Sequence, residues 1–348
     1  MTSRHNLLIT SYLEEEHVAR IRAVDERLHV IYEPSLIAPP RYVADHNGEA
    51  TFQRTPAEEA RWQELLSQAE ILFDFDHSHR DDLPELAPQV KWIQFTSSGI
   101  GAFIKNSGYA TRMPNTVFTT ASGVHAQPLA EFCLLVMLMF SRRLQRTMEY
   151  QQAKVWERFT GSDLRGGTLT VFGAGRVGSK VAEFARAVGM HVIGIVRDAS
   201  GRNPQQMNVD ELYSQSALLS VLPRTDFLVL IAPHTPETEN LIGQRELAAM
   251  PQGSVLINIA RGQLVVEEDL IAALQSGHLA GAGLDVFATE PLPTDSPFWT
   301  MPNVLVSPHS ASTSDKENIL ITDLFCENIR RYLDGRPLEN VLIPERMY

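Results

Sequence analysis

Short apolar runs alternate with amphipathic stretches along most of the chain. In the first third, five apolar runs are typical of strands, and two stretches with apolar residues every three to four positions are typical of helices. The predicted strands are 6–10, 28–32, 70–75, 91–96 and 116–120, and the predicted helices are 14–24 and 56–69. Strands that alternate with helices form a parallel sheet covered on both faces. The segment 34–53 has no periodicity and many turn formers, so we expect a long surface loop.

A second alternation begins after a helix that is apolar nearly all round. Its predicted strands are 168–173, 191–196, 227–232, 254–260, 282–287 and 303–308. One more helix, 315–335, follows the last strand and ends at Gly335. The pattern predicts an α/β fold of two doubly wound parallel-sheet domains. The closing helix can return to the first domain and make it discontinuous, so we expect domain segments 1–121, 122–311 and 312–348.

Net charge, the length of apolar runs and the cysteines limit the possible binding partners and the cellular compartment. The 348 residues carry a net charge of −12 without a long basic run, which argues against nucleic acid and an anionic membrane as partners. The longest apolar run, 132–140, is too short to span a bilayer, and the first residues lack the apolar core of a signal peptide. Cys133 and Cys326 lie in apolar stretches and form no disulfide or metal pattern, so we expect a cytoplasmic protein without a metal site.

The apolar helix after residue 125 suggests self-association. It contains the run FCLLVMLMF and is followed by Arg142, Arg143 and Arg146. A helix that is apolar all round is buried in a core or in an interface. We favour an oligomer interface, because the arginines would form its polar rim.

A glycine-rich turn lies between a predicted strand and a predicted helix. It reads Gly173-Ala174-Gly175-Arg176-Val177-Gly178, followed by a helix and then a second strand. In this context the glycines permit a tight turn and a close approach of a dinucleotide's diphosphate to the helix N-terminus. The alternative is a glycine-rich turn without a ligand. We expect a Rossmann dinucleotide-binding domain.

The second strand of that domain ends without the acidic residue that usually binds the ribose hydroxyls of NAD. The sequence there is Val196-Arg197-Asp198, with Arg202 close behind. An arginine at this point can bind the 2′-phosphate of NADP. We therefore favour NADP(H) over NAD(H), while Asp198 could still bind ribose if the strand extends further.

Three charged residues follow three different strands of the second domain, where ligands bind in open α/β sheets. They are Arg261, Glu290 and His309. An arginine can bind a carboxylate and polarise the neighbouring carbonyl, and a histidine paired with a carboxylate can donate or accept a hydroxyl proton. With a nicotinamide, the set predicts reversible hydride transfer at a carbon next to a carboxylate. Taken singly, each residue could instead belong to an ordinary turn or surface.

At these residues the sequence resembles the D-isomer-specific 2-hydroxyacid dehydrogenase family. The similar stretches are 173–178, 233–243, 258–293 and 303–311, with a looser likeness over 83–101 and around Ala130-Glu131. The resemblance implies a discontinuous, flavodoxin-like substrate domain and a Rossmann domain through which two subunits pair. The implied activity is the NAD(P)-dependent interconversion of a small 2-keto acid, such as glyoxylate or hydroxypyruvate, and its D-2-hydroxy acid.

The resemblance also implies roles for individual residues. Arg261 would bind the substrate carboxylate and carbonyl, His309 would be the acid/base next to the cofactor, and Glu290 would be its partner. Backbone amides of Ser98, Gly99 and Ile100 would meet the substrate carboxylate. The implied cofactor contacts are Gly173, Gly175, Arg176, Val177, Gly178, Arg197, Pro233, Ala260, Asp285 and His309.

Other interpretations stay open at this point. Relatives that oxidise phosphite share the arginine, the glutamate and the histidine, and dinucleotide-sensing binding proteins of this fold can keep all three. Formate oxidation is disfavoured because Glu290 is present. The loop FDFDHSHR, 73–80, matches no family pattern; it could line the substrate pocket and set specificity, or be polar surface, and its two histidines are too few for a metal site.

Overall fold

The structure is a computed structural model that describes residues 4–343. The ends of the predicted segments 1–121 and 312–348 therefore lie partly outside the described residues. The chain divides into two compact units. Unit 1 combines the chain up to Val124 with the segment from Thr313, and unit 2 spans His125–Ser312. The assignment of unit 1 to substrate binding stays a prediction.

Strands and helices alternate along most of the chain. The strands are β1 (His5–Ile9), β2 (Leu28–Ile31), β3 (Ile71–Phe73), β4 (Trp92–Gln94), β5 (Val117–Thr119), β6 (Thr168–Phe172), β7 (His191–Val196), β8 (Glu211–Ser214), β9 (Phe227–Leu230), β10 (Ser254–Asn258), β11 (Leu279–Leu284) and β12 (Val304–Val306). The α-helices are α1 (Glu15–Arg22), α2 (Pro56–Gln68), α3 (Leu83–Leu86), α4 (Gly101–Asn106), α5 (Tyr109–Arg112), α6 (Ala126–Ser141), α7 (Leu144–Ala153), α8 (Arg176–Ala187), α9 (Leu218–Val221), α10 (Gln244–Ala249), α11 (Glu267–Gln275) and α12 (Glu317–Leu333).

The sheet of unit 1 is parallel, with the strand order β2-β1-β3-β4-β5. This is the flavodoxin-like order. Both faces are covered, which is why β1 and β3 are short apolar runs with almost no exposed side chains. The closing helix α12 packs on α1, and Phe325 places its ring 5.1 Å from those of Phe73 and Trp92. The last helix thus completes the core of the first unit.

The sheet of unit 2 is also parallel, with the order β12-β11-β10-β9-β6-β7-β8. The strand order reverses between β6 and β9, and in such sheets ligands bind beyond the carboxyl ends of the strands at this reversal. The prediction of two doubly wound parallel-sheet domains is confirmed. Within residues 4–343 no helix combines the length and the apolar character needed to cross a membrane.

One strand begins and ends earlier than predicted. The expected strand 282–287 is β11, Leu279–Leu284, so that Asp285 and the two residues after it form a loop. Its glycines hid the strand, because glycine is disfavoured there by propensity. Their role lies in packing against α6: a Cβ on Gly281 would come within 2.0 Å of the Phe140 ring, and one on Gly283 within 2.7 Å of Val136.

The apolar helix α6 consequently has a face in the core of its own unit. It packs against α8 and against β10 and β11. A second face, with Leu135 50% and Leu138 40% exposed, remains open to solvent within this chain. The edge strand β8 was not predicted, since Glu211–Ser214 is short and only half apolar.

Candidate active site

The glycine-rich turn after β6 has the geometry that a diphosphate requires. Gly173 has φ +108°, and a Cβ there would lie 2.6 Å from the Ala232 nitrogen. A Cβ on Gly178 would lie 2.3 Å from the Gly173 oxygen, so this glycine lets α8 pack tightly on the turn. Gly175 faces open space, with no atom within 4 Å of a Cβ built on it. Arg176 and Val177 begin α8 beside this opening. The residues present therefore fit a dinucleotide.

The end of β7 carries an arginine and no acidic residue. Val196 is the last residue of the strand and is buried, and exposed Arg197 follows it. Asp198 belongs to the next turn, where its carboxylate accepts a hydrogen bond of 2.9 Å from the Ser200 amide. This hydrogen bond lowers the pKa of Asp198. The strand does not extend far enough to put that carboxylate at its end.

Arg261 is positioned by the end of β10. The buried Asn258 side chain donates to the Arg261 carbonyl at 2.9 Å and accepts from the Ala260 amide at 3.0 Å. These bonds fix the turn that carries the arginine. Burial lowers the pKa of Arg261, while the charges of Glu290 and Asp285 act in the opposite direction. The guanidinium is thus a half-buried cation in the electrostatic field of both carboxylates.

A close crossing of two backbones brings the Arg261 turn to the Glu290 loop. A Cβ on Gly262 would lie 1.8 Å from the carbonyl carbon of Phe287 and 2.2 Å from the nitrogen of Ala288. Real Cβ atoms do not approach backbone this closely, so only glycine permits the crossing. The glycine after the arginine is therefore a requirement of the tertiary structure.

Glu290 and His309 form a direct pair. Their Oε2 and Nδ1 atoms are 2.8 Å apart, and the other carboxylate oxygen of Glu290 accepts a hydrogen bond of 3.0 Å from the Phe287 amide. Burial raises the pKa of the Glu290 carboxyl, but the hydrogen bonds from His309 and Phe287 outweigh it, and the net shift is downward. A carboxylate accepts only, so Nδ1 carries a proton and Nε2 is the atom left for a ligand.

The loop that carries His309 is held by Asp285. One carboxylate oxygen of this buried residue accepts three hydrogen bonds, from the Ser307 hydroxyl at 2.6 Å and from the Ser310 and Ala311 amides, each at 2.9 Å. The His309 amide also donates to the Asp285 carbonyl at 2.9 Å. His309 itself has φ +54°, a left-handed conformation that is uncommon for histidine and that these bonds maintain.

The remaining predicted site residues lie in two places. Pro233 and Ala260 follow β9 and β10, at the same carboxyl edge of the unit 2 sheet. Ser98, Gly99 and Ile100 form the loop between β4 and α4 of unit 1, with the first two exposed. Sequence reasoning missed Asn258, Ser307 and the positioning role of Asp285. Only the polar character of Asn258 at a strand end could have drawn attention to it.

The histidines and aspartates of loop 73–80 are engaged in separate hydrogen bonds. Asp74 pairs with His77, Asp76 accepts from the Trp62 indole, and His79 pairs with Glu59 and Asp82. In the part of the chain that the structure describes, no group of three or more His, Cys, Asp or Glu side chains is arranged to hold a metal ion.

The chain is similar to known proteins in sequence and in fold. Residues 134–311 match the D-isomer specific 2-hydroxyacid dehydrogenase NAD binding domain. The chain is 31% identical to a glyoxylate/hydroxypyruvate reductase B of Yersinia pestis, over 84% of this chain and 89% of that protein. It is 37% identical to a D-3-phosphoglycerate dehydrogenase of Mycobacterium leprae, over 72% of this chain but only 46% of that longer protein, so it spans about half of that relative.

A solved structure shares the whole fold. The D-isomer specific 2-hydroxyacid dehydrogenase of Xanthobacter autotrophicus Py2, crystallised with NADPH and MES, has a TM-score of 0.78 and 27% identity, covering 99% of this chain and 100% of that one. The chain therefore belongs to the D-isomer-specific 2-hydroxyacid dehydrogenase family. The predicted family, and with it the enzyme class of nicotinamide-dependent oxidoreductases, is confirmed.

The Glu290–His309 pair predicts a measurable pKa. Carbon-13 NMR titration should find the Glu290 carboxyl titrating below its usual value near 4.5. Replacing His309 with Asn removes the charged partner, so the pKa of Glu290 should rise. Because the folded-state pKa is depressed, the pair stabilises the folded protein above the ordinary pKa, and this contribution is lost as the pH falls through the folded-state value. Equal Glu290 titration curves in both proteins would contradict the pairing.

Proposed function

We propose that the protein reduces a small 2-keto acid of the glyoxylate or hydroxypyruvate type to the D-2-hydroxy acid. The observation that carries the proposal is the 2.8 Å Glu290–His309 pair at the sheet edge that also bears the glycine-rich cradle and Arg261. Relatives whose names state glyoxylate/hydroxypyruvate reduction support the choice of substrate.

His309 is the proposed acid/base. The Nδ1 atom of the imidazolium keeps its proton and donates a hydrogen bond to Glu290. The Nε2 atom transfers its proton to the keto oxygen, which becomes the hydroxyl of the product. Glu290 stabilises the charged ring before that transfer and fixes its orientation. A bound nicotinamide supplies the hydride, and in the reverse direction His309 takes the hydroxyl proton back.

Arg261 is the proposed substrate anchor. Its planar guanidinium can hold the carboxylate with two hydrogen bonds and polarise the adjacent carbonyl. Because the side chain is half-buried, its charge is screened less by water than a surface arginine's charge. We propose backbone amides of Ser98, Gly99 and Ile100 as further carboxylate donors, on the resemblance to the family alone.

The proposed cofactor contacts follow the cradle and the strand ends. The diphosphate would lie over Gly173, Gly175 and Gly178, with Arg176 and Val177 beside it. Pro233, Ala260, Asp285 and His309 would line the remainder of the dinucleotide. The Asp285 oxygen that does not hold the His309 loop is the one available to the nicotinamide amide.

Replacing His309 with Asn should lower kcat by roughly 10²- to 10⁴-fold, the usual contribution of general acid–base catalysis. Cofactor affinity should stay near the unmodified value. The measurement is oxidation of reduced cofactor with a panel of 2-keto acids, together with a fluorescence titration of the cofactor. Arg261→Lys should also lower kcat/KM strongly, because the point charge of lysine cannot replace the planar guanidinium fork.

The matched control is His29→Asn, the same change at an exposed histidine of β2. Near-native turnover in His309→Asn would overturn the acid/base assignment. Tight cofactor binding without turnover of any 2-keto acid in the unmodified protein would favour a dinucleotide sensor. Turnover of phosphite alone would move the activity to phosphite oxidation.

We propose a preference for NADP(H), on the basis of Arg197 at the end of β7. Arg197→Asp should weaken binding of NADPH by roughly 10- to 100-fold, the usual effect of losing a charge-assisted hydrogen bond. NADH binding should change far less, because NADH lacks the 2′-phosphate. The measurement is the dissociation constant of each cofactor for the unmodified protein and for Arg197→Asp. The control is Arg245→Asp, the same change at an exposed arginine of α10. Clearly tighter binding of NADH by the unmodified protein would contradict the preference.

We propose a homodimer formed through unit 2. Exposed large apolar side chains concentrate on α6, α7 and the segment after them, next to the arginines at 142, 143 and 146. They are Leu135, Leu138, Leu144, Met148, Val155 and Trp156, the last fully exposed. Apolar patches with a polar rim of this kind mark protein interfaces.

The double change Leu138→Glu and Met148→Glu should convert the protein to a monomer, since it places two charges in the apolar patch. Light scattering coupled to size-exclusion chromatography measures the mass. Ile319→Glu, at an exposed apolar residue of α12, is the control and should leave the mass unchanged. A monomeric unmodified protein at micromolar concentration would contradict the dimer.

A further inference from the structure

Unit 1 contains a cavity of its own. The cavity, about 150 Å³ in volume, lies between the end of β1, the long loop 37–54 and the turn 76–78. Its walls include Thr10, Ile37, His46, Phe52, Arg54 and His77. The volume is far above the roughly 10–15 Å³ that one water molecule needs. The cavity can therefore hold a small organic molecule.

Arg54 is a buried cation in this wall. Its side chain is only 6% exposed, and its guanidinium lies 4.4 Å over the Trp62 ring. Nε donates to the Leu36 carbonyl at 2.6 Å, and Nη1 donates to the Ser78 hydroxyl at 2.9 Å. Nη2 has no acceptor among the described residues. The guanidinium is thus held in place with one edge available to a ligand.

The nearby carboxylates do not occupy that edge. Glu59 lies 3.3 Å from Nη1, and its other oxygen already accepts from Gln63 and His79. Asp76 accepts from the Trp62 indole and from the backbone and hydroxyl of Ser78. Glu49, also in the wall, accepts from Thr51. The charge of Arg54 is consequently balanced only in part, through a single carboxylate that other donors share.

His46 is a packed part of the wall. Its Nδ1 atom lies 3.0 Å from the Ser11 hydroxyl, and its Nε2 atom is shielded from solvent. Burial lowers the pKa of His46, which favours the neutral ring. Arg54 is therefore the permanent cation among the residues that line the cavity.

His77 is another polar residue of the wall. Its Nε2 atom lies 3.2 Å from the buried Asp74 carboxylate, which accepts the ring proton. Its ring centroid lies 4.2 Å from that of Phe75, at an interplanar angle of 41°. Ile37 and Phe52 add apolar surface to the lining. The wall therefore combines polar side chains with apolar contacts.

We propose that this cavity binds the carboxylate of a small organic acid. A carboxylate only accepts hydrogen bonds, so it matches the available N–H groups of Arg54 Nη2. Its negative charge balances Arg54, and Ile37 and Phe52 contact its short carbon chain. The ligand is a free small acid that binds within unit 1.

Calorimetric titration with succinate tests binding without any turnover. Succinate should bind the unmodified protein, and Arg54→Gln should weaken that binding roughly 10- to 100-fold. The neutral analogue succinamide should bind neither protein. Arg61→Gln is the matched control, because it removes the same charge from an exposed arginine of α2 that pairs with Glu33 and Glu64.

A second variant guards against misfolding. Arg54 is buried, so circular dichroism must first show that Arg54→Gln is folded. Arg54→Lys keeps a charge in the wall but loses the planar fork, so it should bind succinate more weakly than the unmodified protein and more tightly than Arg54→Gln. If succinate does not bind, or binds folded Arg54→Gln as tightly as the unmodified protein, the proposal is wrong.

Discussion

The Asp285 carboxylate determines the geometry of the candidate active site. One of its oxygens binds Ser307, Ser310 and Ala311 at once, and its carbonyl binds the amide of His309. These bonds hold a histidine in a left-handed backbone conformation and aim its Nδ1 atom at Glu290. The same bonds explain the small residues Ser310 and Ala311 after His309, because their amides must come close to the buried Asp285 carboxylate.

Close backbone approaches are the second constraint on unit 2, and glycine permits each of them. Gly178 lets α8 pack on the cradle, Gly262 lets the arginine turn cross the Glu290 loop, and Gly281 and Gly283 let α6 pack on β11. In each place a Cβ would meet backbone or a core side chain at 2.7 Å or less. The segments that carry the charged residues therefore pack closely because single glycines leave room at the points of contact.

Local charge differs from total charge in this protein. A chain of net charge −12 should repel small acids at long range, yet Arg261 and Arg54 are both at least half-buried cations. Burial reduces screening, so a buried arginine outweighs distant surface carboxylates in its own surroundings. Both proposed carboxylate sites use this principle, one beside the acid/base pair and one within unit 1.

The sequence by itself determined the alternation of strands and helices apart from β8, the doubly wound fold, the family, and the positions of Arg261, Glu290 and His309 in segments that follow three different strands. These follow from periodicity and from short motifs, which are local properties of the chain. Only the tertiary structure decided the span of β11, the roles of Asn258 and Asp285, and the cavity around Arg54 and His46. Those features depend on contacts between residues far apart in sequence: Ser11 with His46, Arg54 with Ser78, Gly262 with Phe287. Contacts of this kind leave no periodic pattern in the sequence.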